Sequence, residues 1–189
     1  ILFDLELICR FDGSQSPGEE LAAHAAAVRD SALAPASVFV CPSVDRQSTP
    51  PGSDWPDCPP LEEIHAAAAR AFPDLPRGGG MASLFTELNR KRPPLGHLDF
   101  VSHALCSIVH AADDGHVMET LETIPHIARS MREIIGGCGY RIGPATIAMR
   151  QNPYGSRTIP NPEGGRVCMT DDDPRHRGAF GAAYALGLV

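Results

Sequence analysis

Two hydrophobic periods alternate along this chain, and that alternation constrains its fold more than any other feature. From Phe3 to Phe11 the period is two. Phe3, Leu5, Leu7, Cys9 and Phe11 share one side, and Asp4, Glu6, Ile8 and Arg10 the other, which predicts a strand. Ser16-Pro17-Gly18-Glu19-Glu20 then carries helix-start chemistry: an N-cap serine, proline in the first turn and acids at the positive end of the dipole. The helix runs through an alanine-rich stretch to Leu33 and stops before Pro35. Ser37–Cys41 is a short apolar strand of the kind that parallel sheets bury on both faces.

The pattern repeats. Leu61–Phe72 reads as a helix, Met81–Arg90 as a buried strand ending in polar groups, and His97–Ile108 as a fourth strand region. His116 to about Ile135 has helical spacing around Val117, Leu121, Ile124, Ala128, Met131 and Ile135, with Pro125 expected to kink it. Tyr140–Met149 is a fifth strand, and Asp173-Pro174 opens a last helix toward Leu186. Roughly five strands alternating with helices predict an α/β chain with a parallel sheet.

A doubly wound sheet and a (β/α)8 TIM-type barrel both fit this rhythm. No glycine-rich phosphate loop follows the first strand, and the long polar connections are those that follow strands, as at 42–60, 109–115 and 150–173. Active sites of barrels are built from such βα loops, so the barrel is the expected fold. Residues 1–189 are expected to be a partial TIM-barrel catalytic domain, about five of eight βα units and cut at both ends.

The formal net charge of -7, from 16 Lys+Arg against 23 Asp+Glu, argues against a nucleic-acid partner. No apolar run approaches the ~18–20 residues that cross a bilayer, so no membrane partner is expected. Cys9, Cys41, Cys58, Cys106, Cys138 and Cys168 form no CxxC pair. Three lie in apolar strand runs, which suits buried thiols in a reducing, cytoplasmic setting.

If the strands are parallel, their polar tips converge on one rim. Glu87 and Asn89, two apart on a strand, would share a side. Arg90, His103, His110, Asp113, Asp114, Arg150, Asn152 and Tyr154 would join them. Each has a plainer alternative: a turn carboxylate, a core histidine, an N-cap aspartate, an arginine paired with a structural carboxylate. Together they suit hydrolysis of an ester or lactone, with Glu87 or His103 as base and Arg150 and Asn152 as donors. Glycoside hydrolysis needs a second carboxylate, and Arg150 stands where the fifth strand would supply one. His103, His110 and Asp113 are metal-ligand types, but their spacing matches no metal signature. Neither a metal nor another cofactor is expected.

Four strings carry a resemblance: Phe85-Thr86-Glu87-Leu88-Asn89-Arg90-Lys91-Arg92-Pro93-Pro94; Val109-His110-Ala111-Ala112-Asp113-Asp114 with Met118-Glu119-Thr120-Leu121-Glu122; Tyr140-Arg141-Ile142-Gly143-Pro144; and Asn152-Pro153-Tyr154-Gly155. With them the chain resembles the D-apionate lactonase family. The resemblance implies a TIM-type barrel similar to glycoside hydrolases, flanked by further domains of the same polypeptide. It also implies opening of a small sugar-acid lactone, D-apionolactone or one like it, in apiose breakdown. Chemistry and position make Glu87, His103 and His110 the expected catalytic residues. Asn89, Arg90, Asp113, Asp114, Arg150, Asn152 and Tyr154 are expected to bind substrate. A retaining glycosidase-like hydrolase and a non-catalytic carbohydrate-binding barrel are the alternatives.

Overall fold

The computed structural model describes residues 2–155 and 157–189. Ile1, and Ser156 within the connection expected at 150–173, lie outside them. Five strands form one sheet: β1 (Asp4–Cys9), β2 (Ser37–Pro42), β3 (Arg77–Leu84), β4 (Phe100–Cys106) and β5 (Gly139–Thr146). Each pairs in parallel with the next, in the order β1-β2-β3-β4-β5. Right-handed crossovers in unbroken strand order put every connecting helix on the same face, whereas a doubly wound sheet reverses its order to cover both. The sheet is therefore an arc of barrel wall.

Alternation along the strands sorts side chains between the two faces. Leu5, Leu7, Cys9, Val38 and Val40 pack with Leu21 and Ala25 of α1 (Pro17–Asp30) and with Ile64, Ala67 and Ala68 of α2 (Leu61–Ala71). Met81, Val101 and Tyr140 pack with Met131 and Ile135 of α4 (Asp114–Ile135). The opposite, inner face carries a small cluster of Phe39, Cys41, Ala82 and Phe100 beside Ile8. Polar ties also cross it: Arg141 of β5 reaches Asp4 of β1 at 3.2 Å and donates to Ser37 Oγ at 2.7 Å.

The first helix starts as its sequence predicts. Ser16 accepts from the Glu19 amide while Glu19 reaches back to the Ser16 amide, a reciprocal capping box. Asp113 caps α4, which begins two residues before the expected His116 and runs through Pro125. Asp173 caps a short 3-10 turn, Pro174–Arg177, and the last helix, α5, is separate at Ala179–Gly187. All six cysteines are free.

The strand expected over 81–90 is not built that way. Gly78-Gly79-Gly80 lie inside β3, the strand ends at Leu84, and Phe85–Arg90 is a helix, α3. Gly78 and Gly80 are there because β3 and β4 approach closely. A Cβ on Gly78 would sit 2.1 Å from the Phe100 ring, and one on Gly80, where φ is +137°, 2.1 Å from the Ser102 carbonyl oxygen. Leu88, fully buried among Met81, Val101 and Met131, anchors α3 to the outer core.

Candidate active site

The turn from strand to helix decides what Glu87 and Asn89 do. Residues two apart on a helix point about 200° apart around its axis. Glu87 is accordingly buried and Asn89 exposed, where its side chain accepts from Arg92 at 3.2 Å. The Glu87 carboxylate lies at a cleft of about 590 Å³ at the carboxyl end of the strands, lined also by Ser48, Arg90, His110, His116 and Tyr154. Ser48 Oγ donates to Glu87 Oε1 at 2.6 Å and Arg90 Nη2 to the same oxygen at 2.9 Å. Among the described residues, no group donates to the other oxygen, Oε2.

Three loops close around this carboxylate. Arg90 Nη2 also donates to the Thr49 carbonyl at 2.8 Å, and the Ser48 amide donates to the Pro153 carbonyl at 2.7 Å. The segment after β2 is therefore clamped between α3 and the loop after β5. Tyr154 is 61% exposed, and its ring lies 6.2 Å from that of His110. At the first turn of α4, Asp113 accepts from both the His116 amide, at 3.1 Å, and His116 Nδ1, at 2.5 Å. These bonds, the amide's first, hold the Asp113 carboxyl below its ordinary value. Among the described residues, the other ring nitrogen of His116, Nε2, has no hydrogen-bond partner.

The other expected residues stand elsewhere. His103 is fully buried on the outer face, bonded to the Tyr140 hydroxyl at 2.8 Å and the Ala104 carbonyl at 2.9 Å. Burial lowers its pKa, so it sits neutral in the helix-packed core. Asp114 pairs with Arg166 at 3.1 Å and Arg175 at 3.2 Å, tying α4 to the segment before α5. Arg150 makes a two-pronged pair with Glu6 of β1, its Nη1 at 3.3 Å from Oε1. Asn152 shapes its own turn, accepting from the Tyr154 amide and donating to the Arg157 carbonyl, both at 2.8 Å.

The single mouth expected for residues 87, 103 and 150 is thus divided. Glu87, Arg90, His110 and Tyr154 share one cleft, Arg150 and Asn152 line a second beside it, and His103 lies behind the sheet. Ser48 and His116 also line the first cleft and are not among the residues expected from the sequence. Their signals were the length of the 42–60 loop and an aspartate three residues before a histidine at a helix start.

Among the described residues, Cys9, Glu20 and His24 bring metal-ligand atoms within 4.8 Å of one another. Glu20 there already accepts the Arg10 and Phe11 amides at 2.7 and 2.9 Å, which fixes the exit of β1. That is a structural use of the carboxylate.

A one-sided parallel arc with a buried carboxylate and two histidines at its carboxyl rim is the βα-barrel class of α/β protein, of the kind that places acid–base chemistry in its loops. The chain belongs to the family described as D-apionate lactonase, TIM barrel domain, which matches residues 1–189. It is similar to a curated D-apionate lactonase of Brucella anthropi, 56% identical over 171 residues that make up 90% of this chain and 28% of that protein. The chain therefore spans under a third of the length of this relative. No solved structure matches it. No described helix is long and apolar enough to cross a membrane.

Proposed function

We propose that the protein containing this chain opens a sugar-acid lactone of the D-apionolactone type by adding water to its acyl carbon. One observation carries this reading: the buried Glu87 carboxylate is braced through Oε1 by Ser48 and Arg90, which leaves Oε2 to act on a water in the cleft. Family membership and the relative's name support the choice of substrate.

In this mechanism Glu87 takes a proton from water as the oxygen attacks the lactone carbonyl. His116, as the imidazolium whose Nδ1–H is accepted by Asp113, gives its Nε2 proton to the departing ring oxygen, and the proton that Glu87 took from water is then passed back through solvent to His116. His110 and Tyr154 form the wall against which the sugar ring rests. Arg90 holds Glu87 in place, whereas Asn89, His103 and Asp114 serve the fold. Residues 1–189 act as about five of the eight units of a barrel, with other domains of the same polypeptide beside it. A cytoplasmic setting agrees with six free cysteines.

Glu87→Gln in the full-length protein tests the assignment. Hydrolysis of D-apionolactone, followed by acid release at constant pH, should fall about 10²- to 10⁴-fold with the fold intact. Near-normal turnover would refute the role of Glu87. Aryl glycosides assayed in parallel separate a lactonase from a glycosidase.

A further inference from the structure

The second cleft differs in character from the first. It encloses about 620 Å³ and is lined by Arg46 from the segment after β2, Arg150 from the exit of β5, and Arg157 from the long loop beyond. The chain as a whole is acidic, at -7, so three guanidinium groups around one cleft are not a sample of a basic surface. The two clefts are neighbours. The ridge between them is made where Gln47 and Ser48 bond to the carbonyls of Asn152 and Pro153, at 3.3 and 2.7 Å.

The charges in this second cleft do not cancel. Glu6 engages Arg150. Asp171 lines the cleft and accepts from Thr158 Oγ1 at 2.8 Å. Arg46 and Arg157 have no carboxylate partner among the described residues. Arg46 is also held in place. Gln151 accepts from its Nε at 3.3 Å and donates to its carbonyl oxygen at 3.4 Å, while the same amide nitrogen reaches the Ala82 carbonyl at 3.2 Å. A guanidinium fixed through Nε keeps its terminal N–H groups as a fork, the geometry that suits a carboxylate.

We propose that this cleft is a carboxylate subsite for a sugar-acid anion, the ring-opened product of the neighbouring site. The choice of that anion rests on the lactonase reading. Water adds across the acyl C–O bond, the ring oxygen leaves as a hydroxyl, and the new carboxylic acid loses its proton to solvent. A neutral substrate thereby becomes an anionic product. Arg46 and Arg157 bind the anionic product in preference to the neutral lactone.

The test uses the full-length protein and D-gluconate, a sugar-acid anion, as probe in calorimetric titration, with inorganic sulfate for comparison. The Arg46→Gln/Arg157→Gln double variant should bind gluconate at least about tenfold more weakly, and added salt should weaken binding to the unaltered protein. Unchanged gluconate affinity in the double variant would overturn the subsite. Sulfate binding as tightly as gluconate, with the same loss in the variant, would overturn its assignment to a sugar acid. Glu87→Gln separates the two readings, since it should retain gluconate binding while losing hydrolysis. If it keeps hydrolysis but gluconate binding still needs the two arginines, the role given to Glu87 falls and the subsite stands.

Discussion

Lys91 Nζ donates a 2.6 Å bond to Asp45 Oδ1, and the Asp45 side chain is wholly buried. Asp45 lies three residues before Ser48, and Lys91 follows Arg90 directly at the end of α3. The pair is a strut between the two segments that bring Ser48 and Glu87 together. Removing one partner of a buried pair leaves an uncompensated charge, at a cost of about 3–5 kcal/mol. Lys91→Met should therefore lower stability by that order in denaturant unfolding. Unfolding within about 1 kcal/mol of the unaltered protein would show that the strut contributes little.

The Ser48 hydroxyl should matter through the orientation of Glu87. A hydrogen bond to a charged group contributes about 1.5–3 kcal/mol, so Ser48→Ala is expected to lower kcat about ten- to a hundredfold while KM changes little. Steady-state kinetics on the lactone decide it. A change confined to KM would place the hydroxyl in substrate binding instead.

At Gly80 the expected effect is on folding. With φ at +137° and the Ser102 carbonyl in the space of a Cβ, Gly80→Ala must distort the junction of β3 and β4. A loss of about 2–4 kcal/mol is expected, read as a lower melting temperature. Gly13, in the left-handed region at φ +82° with open space around it, is the control, and alanine there should cost less.

Acid should weaken the fold through His65. This α2 histidine is fully buried, and burial foremost, with a smaller contribution from His97, lowers its pKa to about 4 from 6.5. Between those values the unfolded chain binds a proton that the native chain does not. Its contribution, on the order of 3 kcal/mol, is complete above pH 6.5 and is lost as pH falls toward 4. Unfolding free energies measured from pH 7 to 4 should show this decline, and His65→Leu should flatten it.

The strand–helix rhythm was legible because burial imposes it. β2 had to be apolar throughout, and the Ser16 box and the Asp113 cap announce their helices in sequence order. The β3–α3 junction was not legible. Met81–Arg90 is short and apolar enough to pass for a strand, and what ends the strand at Leu84 is the packing of Leu88 into the outer core, a tertiary effect. The same error carried Glu87 and Asn89 to one side. His103 was misread for a related reason: alternation says that a strand residue faces in or out, and only the position of α4 says which face is the core. Arg46 ends a single 3-10 turn, Ser43–Arg46, and Ser48 follows it in the loop, both too short for a hydrophobic period, so the hydrogen bonds that give them a place had no pattern to betray them.

The crowding where β3 runs past Phe100 and Ser102 also bears on how such a protein can diversify. A side chain gained along those glycines displaces the strand that leads into Glu87, so the wall behind that carboxylate has little freedom to drift. Variation in what the cleft accepts falls instead to His110 and Tyr154, which stand on exposed loops and can be exchanged without moving the sheet.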